Sequence, residues 1–240
     1  MKRLILDIET LPADENAPGV KENLKYLFER KLEKKERKKE IFEDVVIESG
    51  KENGELAFQE YIRGTSFDGG FGRLLCVAYA VNDDAVRVIC HDDEKKMLAD
   101  FWFVAGQCDL FVGHNIMDFD LRFIIQRSIV LGVKISWDRL GPKRWNNPEQ
   151  KYLSFAKYQH NPIYDTMYEW SNWGNSRVGT GLEHIALALG LETPKQGIDG
   201  SEVFKFYKEG KIKEICDYCA RDVETTRAIY KRMTFQEKLV

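Results

Sequence analysis

The sequence lacks any apolar run near the roughly 20 residues that span a bilayer, so a membrane-embedded fold is not expected. Its cysteines are few: five in 240 residues, at positions 76, 90, 108, 216 and 219. The odd number and irregular spacing form no secreted disulfide framework, which points to a reducing, cytoplasmic compartment. Cys216 and Cys219 make a lone CxxC with no second pair to complete a zinc site; within a helix they read as small, partly buried residues. There is no cationic excess. A net charge of −3 gives no global basic field for a polyanion, although a local basic patch can coexist with catalytic acids. A phosphate-cradling glycine loop is also missing, because DGGFG at 68–72 precedes a strand and carries no lysine. The chain opens directly into a strand pattern without the features of a secretory leader, and no internal repeat is visible.

What remains is 43% apolar and 31% charged, the balance of a soluble globular protein. The length suits one α/β domain with an insertion. Residues 2–9, KRLILDIE, read as a strand that Thr10, Leu11 and Pro12 end. Side chains alternate across a strand, so Asp7 and Glu9 share one face and Leu4, Leu6 and Ile8 take the other. Two acids on one face repel each other. They are explained either by a solvated edge or by a cation held between them.

Residues 21–48 read as a charged helix with a short apolar stripe at Leu24, Leu27, Phe28 and Leu32. Lys34, Lys35, Arg37, Lys38 and Lys39 make it either a solvated face or a basic arm for a phosphate backbone. The stretch 49–72 is polar and glycine-rich, with KENG and DGGFG as turn signals. The whole of 12–72 is therefore expected as an insertion. A hairpin follows at 74–81 and 86–90. Next come a helix at 93–106 with Met97, Leu98, Phe101 and Val104 inward, a short strand at 110–112, and a helix at 118–131 with Phe119, Phe123, Ile124 and Ile129 apolar. Residues 134–162 are poorly periodic, 162–166 suggest a last strand, and helices are expected at 182–189, 201–207 and 212–233. Thr180 with Glu183 suggests a capping box. Early strand pairing followed by strand–helix alternation predicts a mixed central sheet flanked by helices.

Further acids fall at element ends. Asp120 follows the strand at 110–112 and opens a helix, preceded by Gly113, His114 and Asn115; nearby Asp118 is an alternative helix cap. Tyr218 and Asp222 are four apart on one face of the last helix. In isolation they are ordinary surface residues. Four carboxylates, Asp7, Glu9, Asp120 and Asp222, gathered together would repel unless a metal neutralised them. An all-oxygen set favours Mg²⁺ or Mn²⁺ over zinc, and a pair of such ions suits in-line phosphoryl displacement.

The segments DIE at 7–9, GHNIMDFD at 113–120 and YCARD at 218–222 resemble, in order, the three motifs of the DnaQ-like 3′–5′ exonucleases of the DEDD group. They are especially similar to those of the exonuclease domain of family B DNA polymerases and of stand-alone bacterial proteins related to it. The resemblance covers 2–10 and 74–233 and leaves 12–72 unexplained. It implies a ribonuclease H-like fold and two divalent cations held by Asp7, Glu9, Asp120 and Asp222. Asp7 would touch both ions, and Asp120 would act mainly through water. It also implies that Tyr218 orients the attacking water; the histidine subgroup carries its base five residues before the last aspartate, where this chain has Asp217. His114, Asn115, Thr10 and Leu11 are expected on the substrate side, with His114 otherwise structural. Asp165 is expected to cap a helix or to steady the site from behind.

The implied activity is metal-dependent hydrolysis of the terminal phosphodiester at a single-stranded 3′ end, DNA before RNA, releasing nucleoside 5′-monophosphates. Alternatives are an exoribonuclease for short RNA, or a non-catalytic nucleic-acid-binding module of the same fold. Phe67, Phe71, Trp145 and Tyr152 are candidates to stack on bases, and Arg139, Lys143 and Arg144 form a modest basic patch. The 12–72 insertion is a candidate surface for a protein partner. The chain contains no polymerase-sized region, so it would proofread with another protein, or act alone in repair or nucleotide recycling.

Overall fold

Five strands make the central sheet: β1 (Arg3–Leu11), β2 (Arg73–Val81), β3 (Arg87–Ile89), β4 (Leu110–Gly113) and β5 (Ile163–Asp165). Their order in the sheet is β3-β2-β1-β4-β5. β1 runs parallel to β4 and β4 to β5, while β2 and β3 are antiparallel, so the sheet is mixed as its sequence pattern predicts. The computed structural model describes residues 1–41, 51–135, 162–174, 178–193 and 198–236.

β1 lies in the middle of the sheet and is covered on both faces, which explains its nearly unbroken apolar start. Leu4, Leu6 and Ile8 enter a core with Phe101, Trp102, Phe111 and Phe123. Ile5 faces the other way, onto Cys219, Val223 and Tyr230. The strand runs on through Thr10 and Leu11 instead of ending before them, and stops where Pro12 has no amide to donate.

After α1 (Val20–Ile41) and α2 (Lys51–Gly64) in chain order, helices cover both faces of the sheet: α3 (Glu94–Ala105), α4 (Asp120–Leu131), α5 (Thr166–Trp170), α6 (Leu182–Ala188), α7 (Val203–Lys208) and α8 (Ile212–Met233). Asp93 caps α3 by accepting from the amides of Lys95 and Lys96. Trp102 and Ala105 are fully buried in α3, whereas Val104 is only partly so. In α4 the packed residues are Leu121, Phe123, Ile124, Arg127 and Ser128. Ile129 is 57% exposed, because five positions beyond Ile124 a side chain has rotated well away from the packed stripe. Thr180 does not cap α6: the cap is Gly181 without a side-chain bond, and Glu183 instead accepts from Thr193 Oγ1. No described helix is long and apolar enough to cross a membrane.

An ion pair between buried Arg127 and half-buried Glu94 joins three elements. Arg127 of α4 donates to both oxygens of Glu94 on α3, at 2.7 and 2.8 Å. Glu94 Oε1 also accepts the amide of Leu74 in β2 at 2.8 Å.

Residues Leu11–Arg73 form a second compact unit, separate from Met1–Thr10 with Leu74–Val240. It holds α1 (Val20–Ile41) and α2 (Lys51–Gly64). KENG at 51–54 is therefore the first turn of a helix and not a loop. Phe58 and Ile62, four apart on α2, pack on Leu24 and Ala13, and this burial outweighs the cost of about 1 kcal/mol for a helical glycine at Gly54. Phe71 is packed against the same cluster.

Replacing Glu94 by Ala removes the carboxylate that accepts two bonds from the buried Arg127 guanidinium and one from the Leu74 amide. Thermal or denaturant unfolding should show a loss of about 3–5 kcal/mol. A loss under 1 kcal/mol would show that the pair is not a structural tie.

Candidate active site

The site begins where β1 outruns its neighbour. Pairing between β1 and β4 covers Arg3–Ile5, and β4 ends at Gly113. Further along β1, the amide of Ile8 donates to Asp120 Oδ1 at 3.1 Å. Asp120 is the first residue of α4, whose N-cap Phe119 makes no side-chain bond. The helix N-terminus favours a carboxylate there, and the Ile8 amide fixes it to the central strand. Asp118 is not the cap of α4; it accepts from the hydroxyl of Tyr168.

The segment 113–119 is held from below. A Cβ on Gly113 would lie 2.6 Å from the Ile116 side chain, so only glycine permits this approach. Asn115 has a φ of 58°, a left-handed conformation that asparagine tolerates better than most residues. Asp165, 1% exposed, accepts the amides of Asn115 and Met117 at 3.0 and 3.2 Å. It also caps α5 through Met167 and Tyr168. Burial raises its pKa against the opposing pull of those four amides. His114 Nδ1 lies 3.0 Å from Thr166 Oγ1, whose hydroxyl donates to the Gly113 carbonyl. Burial lowers the imidazole pKa to about 4, so at neutral pH the ring is uncharged.

α8 supplies the opposite wall. Its buried residues, Ile215, Cys219, Val223, Thr226, Ile229 and Tyr230 among them, recur at helical spacing. Cys219 and Val223 pack on the Ile5 face of β1, the face that also carries Asp7 and Glu9. The same packing brings Tyr218 and Asp222 to these acids. Tyr218 hydrogen-bonds Asp222, and burial followed by the charges of Asp222, Glu9 and Asp7 pushes its phenol up. The Arg221 guanidinium lies 6.0 Å from the Tyr218 ring centre.

The electrostatics show four acids sharing one space. Burial, then Asp120, Asp222 and Glu9, raise the carboxyl of Asp7. Glu9 is raised by burial, then by Asp222 and Asp120. Asp120 is pushed up to about 8 by burial, with Asp165 and Asp222 adding to it, despite the bond from Ile8. Asp120 and Asp222 are buried, whereas Asp7 and Glu9 keep partial solvent access. The donor set fits hard divalent cations: the repulsion is relieved by positive charge, and oxygen donors suit Mg²⁺ or Mn²⁺.

Sequence reasoning overlooked Cys219. Its thiol donates to the backbone oxygen and to Oδ2 of Asp7, both at 3.4 Å. Burial raises the thiol pKa, so it stays protonated as a donor. The signal was present, since a residue three before Asp222 shares its helix face.

Of the four residues expected on the substrate side, His114 and Asn115 sit in the braced segment. Thr10 is half-buried near the end of β1, and Leu11 is buried and falls in the second unit. Phe67 is exposed and Phe71 packed, both in that unit. Trp145, Tyr152, Arg139, Lys143 and Arg144 lie outside the described residues, as do the side chains of Lys35, Arg37, Lys38 and Lys39; Lys34 is exposed.

A five-stranded mixed sheet flanked by helices, with acids from β1, α4 and α8 brought together, is an α/β fold of the ribonuclease H-like type. Residues 74–239 match the family described as predicted 3′–5′ exonucleases related to the exonuclease domain of PolB, and the chain belongs to that family. The match begins after β1, so Asp7 and Glu9 lie outside it. The uncharacterized protein MJ0365 of Methanocaldococcus jannaschii is 27% identical over 168 residues, 66% of this chain and 84% of that protein. The family B DNA polymerase of the hyperthermophilic archaeon Pyrobaculum calidifontis shares the fold with a TM-score of 0.59 at 15% identity, over 98% of this chain. The chain corresponds to 24% of that polymerase.

In the ion-free protein, unfolding lets Asp120 ionise near its ordinary value, while the folded state holds its proton up to about 8. The folded state thus binds more protons in that window, and stability falls as pH rises through it. Asp120→Asn should therefore raise the melting temperature by several degrees above pH 8 in a chelator and give no gain near pH 4. An equal effect at both pH values would show that repulsion at Asp120 is not its source.

Proposed function

We propose that this protein is a metal-dependent 3′–5′ exonuclease that removes nucleoside 5′-monophosphates from the end of single-stranded DNA. The observation that carries this reading is the gathering of Asp7, Glu9 and Asp120 beside Asp222 and Tyr218, close enough for the acids to hinder one another's ionisation. A family of predicted 3′–5′ exonucleases supports the reaction class. We read residues 1–240 as one exonuclease domain with an insertion at 12–72.

Asp7, Glu9 and Asp222 would hold one divalent cation, with Asp7 reaching a second that Asp120 serves mainly through water. Bound cations supply Lewis-acid activation of water and neutralise charge developing at the phosphate. The residues of the chain do the remaining work. Tyr218 keeps its phenolic proton at neutral pH, so its hydroxyl orients the attacking water and does not remove a proton from it. The Asp165-braced segment holds Asp120 in register with β1 and presents Asn115 toward the terminal nucleotide. His114 stays neutral and supports that segment through Thr166. Thr10 would contact the substrate end, and buried Leu11 would contribute through its backbone. The insertion would serve as a partner surface; Tyr26, Leu32, Leu56 and Phe67 expose apolar area there.

A 5′-labelled single strand incubated with Mg²⁺ or Mn²⁺ should shorten stepwise from its 3′ end, and a 3′-blocked strand should not. Asp222→Ala should abolish shortening. Tyr218→Phe should slow it by no more than roughly 10²–10⁴-fold, the range for one positioned proton-handling group. RNA degraded faster than DNA would replace the polymer named here, and binding without any cleavage would overturn the enzyme reading.

A further inference from the structure

We propose that Cys219 gives the Asp7–Glu9 site a second mode of cation binding, in which a thiophilic divalent ion such as Zn²⁺ or Cd²⁺ is held by Asp7, Glu9 and the Cys219 sulfur and so displaces the hard ion. The inference rests on the reading of Asp7 and Glu9 as cation ligands and goes beyond it in the third donor.

One ligand atom from each of Asp7, Glu9 and Cys219 lies within 4.8 Å of the others. The Cys219 sulfur is 3.4 Å from Asp7 Oδ2. Zinc bonds of about 2.3 Å to sulfur and 2.0–2.2 Å to oxygen, set at a tetrahedral angle, place the two donors about 3.5 Å apart. The resting hydrogen bond therefore already spans the sulfur–oxygen edge of such a site, and an ion enters by displacing the thiol proton to solvent. Mg²⁺ does not favour sulfur and would leave Cys219 as a donor to Asp7, whereas thiolate selects softer ions.

The helix enforces this choice. Cys219 is fully buried against β1, so its sulfur cannot rotate out to solvent without unpacking α8. Cys76 hydrogen-bonds both Cys219 and Cys216. Binding by these thiols alone is the rival outcome, and the experiment must separate the two.

Cd²⁺ titrated into the 240-residue protein should produce the ultraviolet sulfur-to-cadmium charge-transfer band, with Mn²⁺ in excess suppressing it. Cys219→Ser and Cys219→Ala should each lose the band and keep Mn²⁺ binding within a few-fold, which also shows that they fold. Asp7→Ala should lose it too, while Cys76→Ser and Cys216→Ser retain it. A band that survives in both Cys219 variants, or that Asp7→Ala leaves unchanged, overturns the proposal. The band is read without turnover. Its presence in a protein that cleaves nothing sinks the exonuclease reading alone, and cleavage without a band sinks this inference alone.

Discussion

Repulsion among carboxylates that the fold holds together is the constraint on which this structure turns. Asp7, Glu9, Asp120 and Asp222 come from three elements, and each raises the charging cost of its neighbours. Nothing in the core gains from that arrangement. It persists because the parts that carry the acids are fixed by other interactions. Ile5, Cys219, Val223 and Tyr230 pack α8 onto β1, and the Arg127–Glu94 pair ties α4 to α3 and β2. Stability is invested in the scaffold and lost at the site, the pattern expected where function requires strain.

Behind the acids, hydrogen bonds add to the apolar packing of Ile116 in the core. Asp165 collects backbone amides from two segments. The Ile8 amide takes Asp120 where β1 has passed the end of β4. These bonds convert loose strand ends into a rigid edge, so that the positions of the carboxylates follow from backbone geometry. Such preorganisation lets a site meet charge developing in a reaction without paying to reorganise.

Much of this was legible in the sequence. Period-2 alternation placed Asp7 and Glu9 opposite Leu4, Leu6 and Ile8, because β1 is long and its partners on both faces are apolar. The 212–233 helix was readable from its strong stripe. What escaped was whatever depended on tertiary partners. KENG looks like a turn until Phe58 and Ile62 find Leu24. Thr180 looks like a cap, yet Gly181 occupies that position and Glu183 turns to Thr193. Cys219 reads as a small buried residue because only the fold reveals that Asp7 lies against its sulfur.

The central claim is that the acids form a cation centre, and Mn²⁺ binding measured by calorimetry or electron paramagnetic resonance tests it most directly. Wild-type protein should take up Mn²⁺, and Asp7→Ala, which removes the carboxylate proposed to touch both ions, should abolish or severely weaken that uptake while leaving the circular dichroism spectrum unchanged. Undiminished Mn²⁺ binding in a folded Asp7→Ala protein, or no binding by the wild type, would contradict the account.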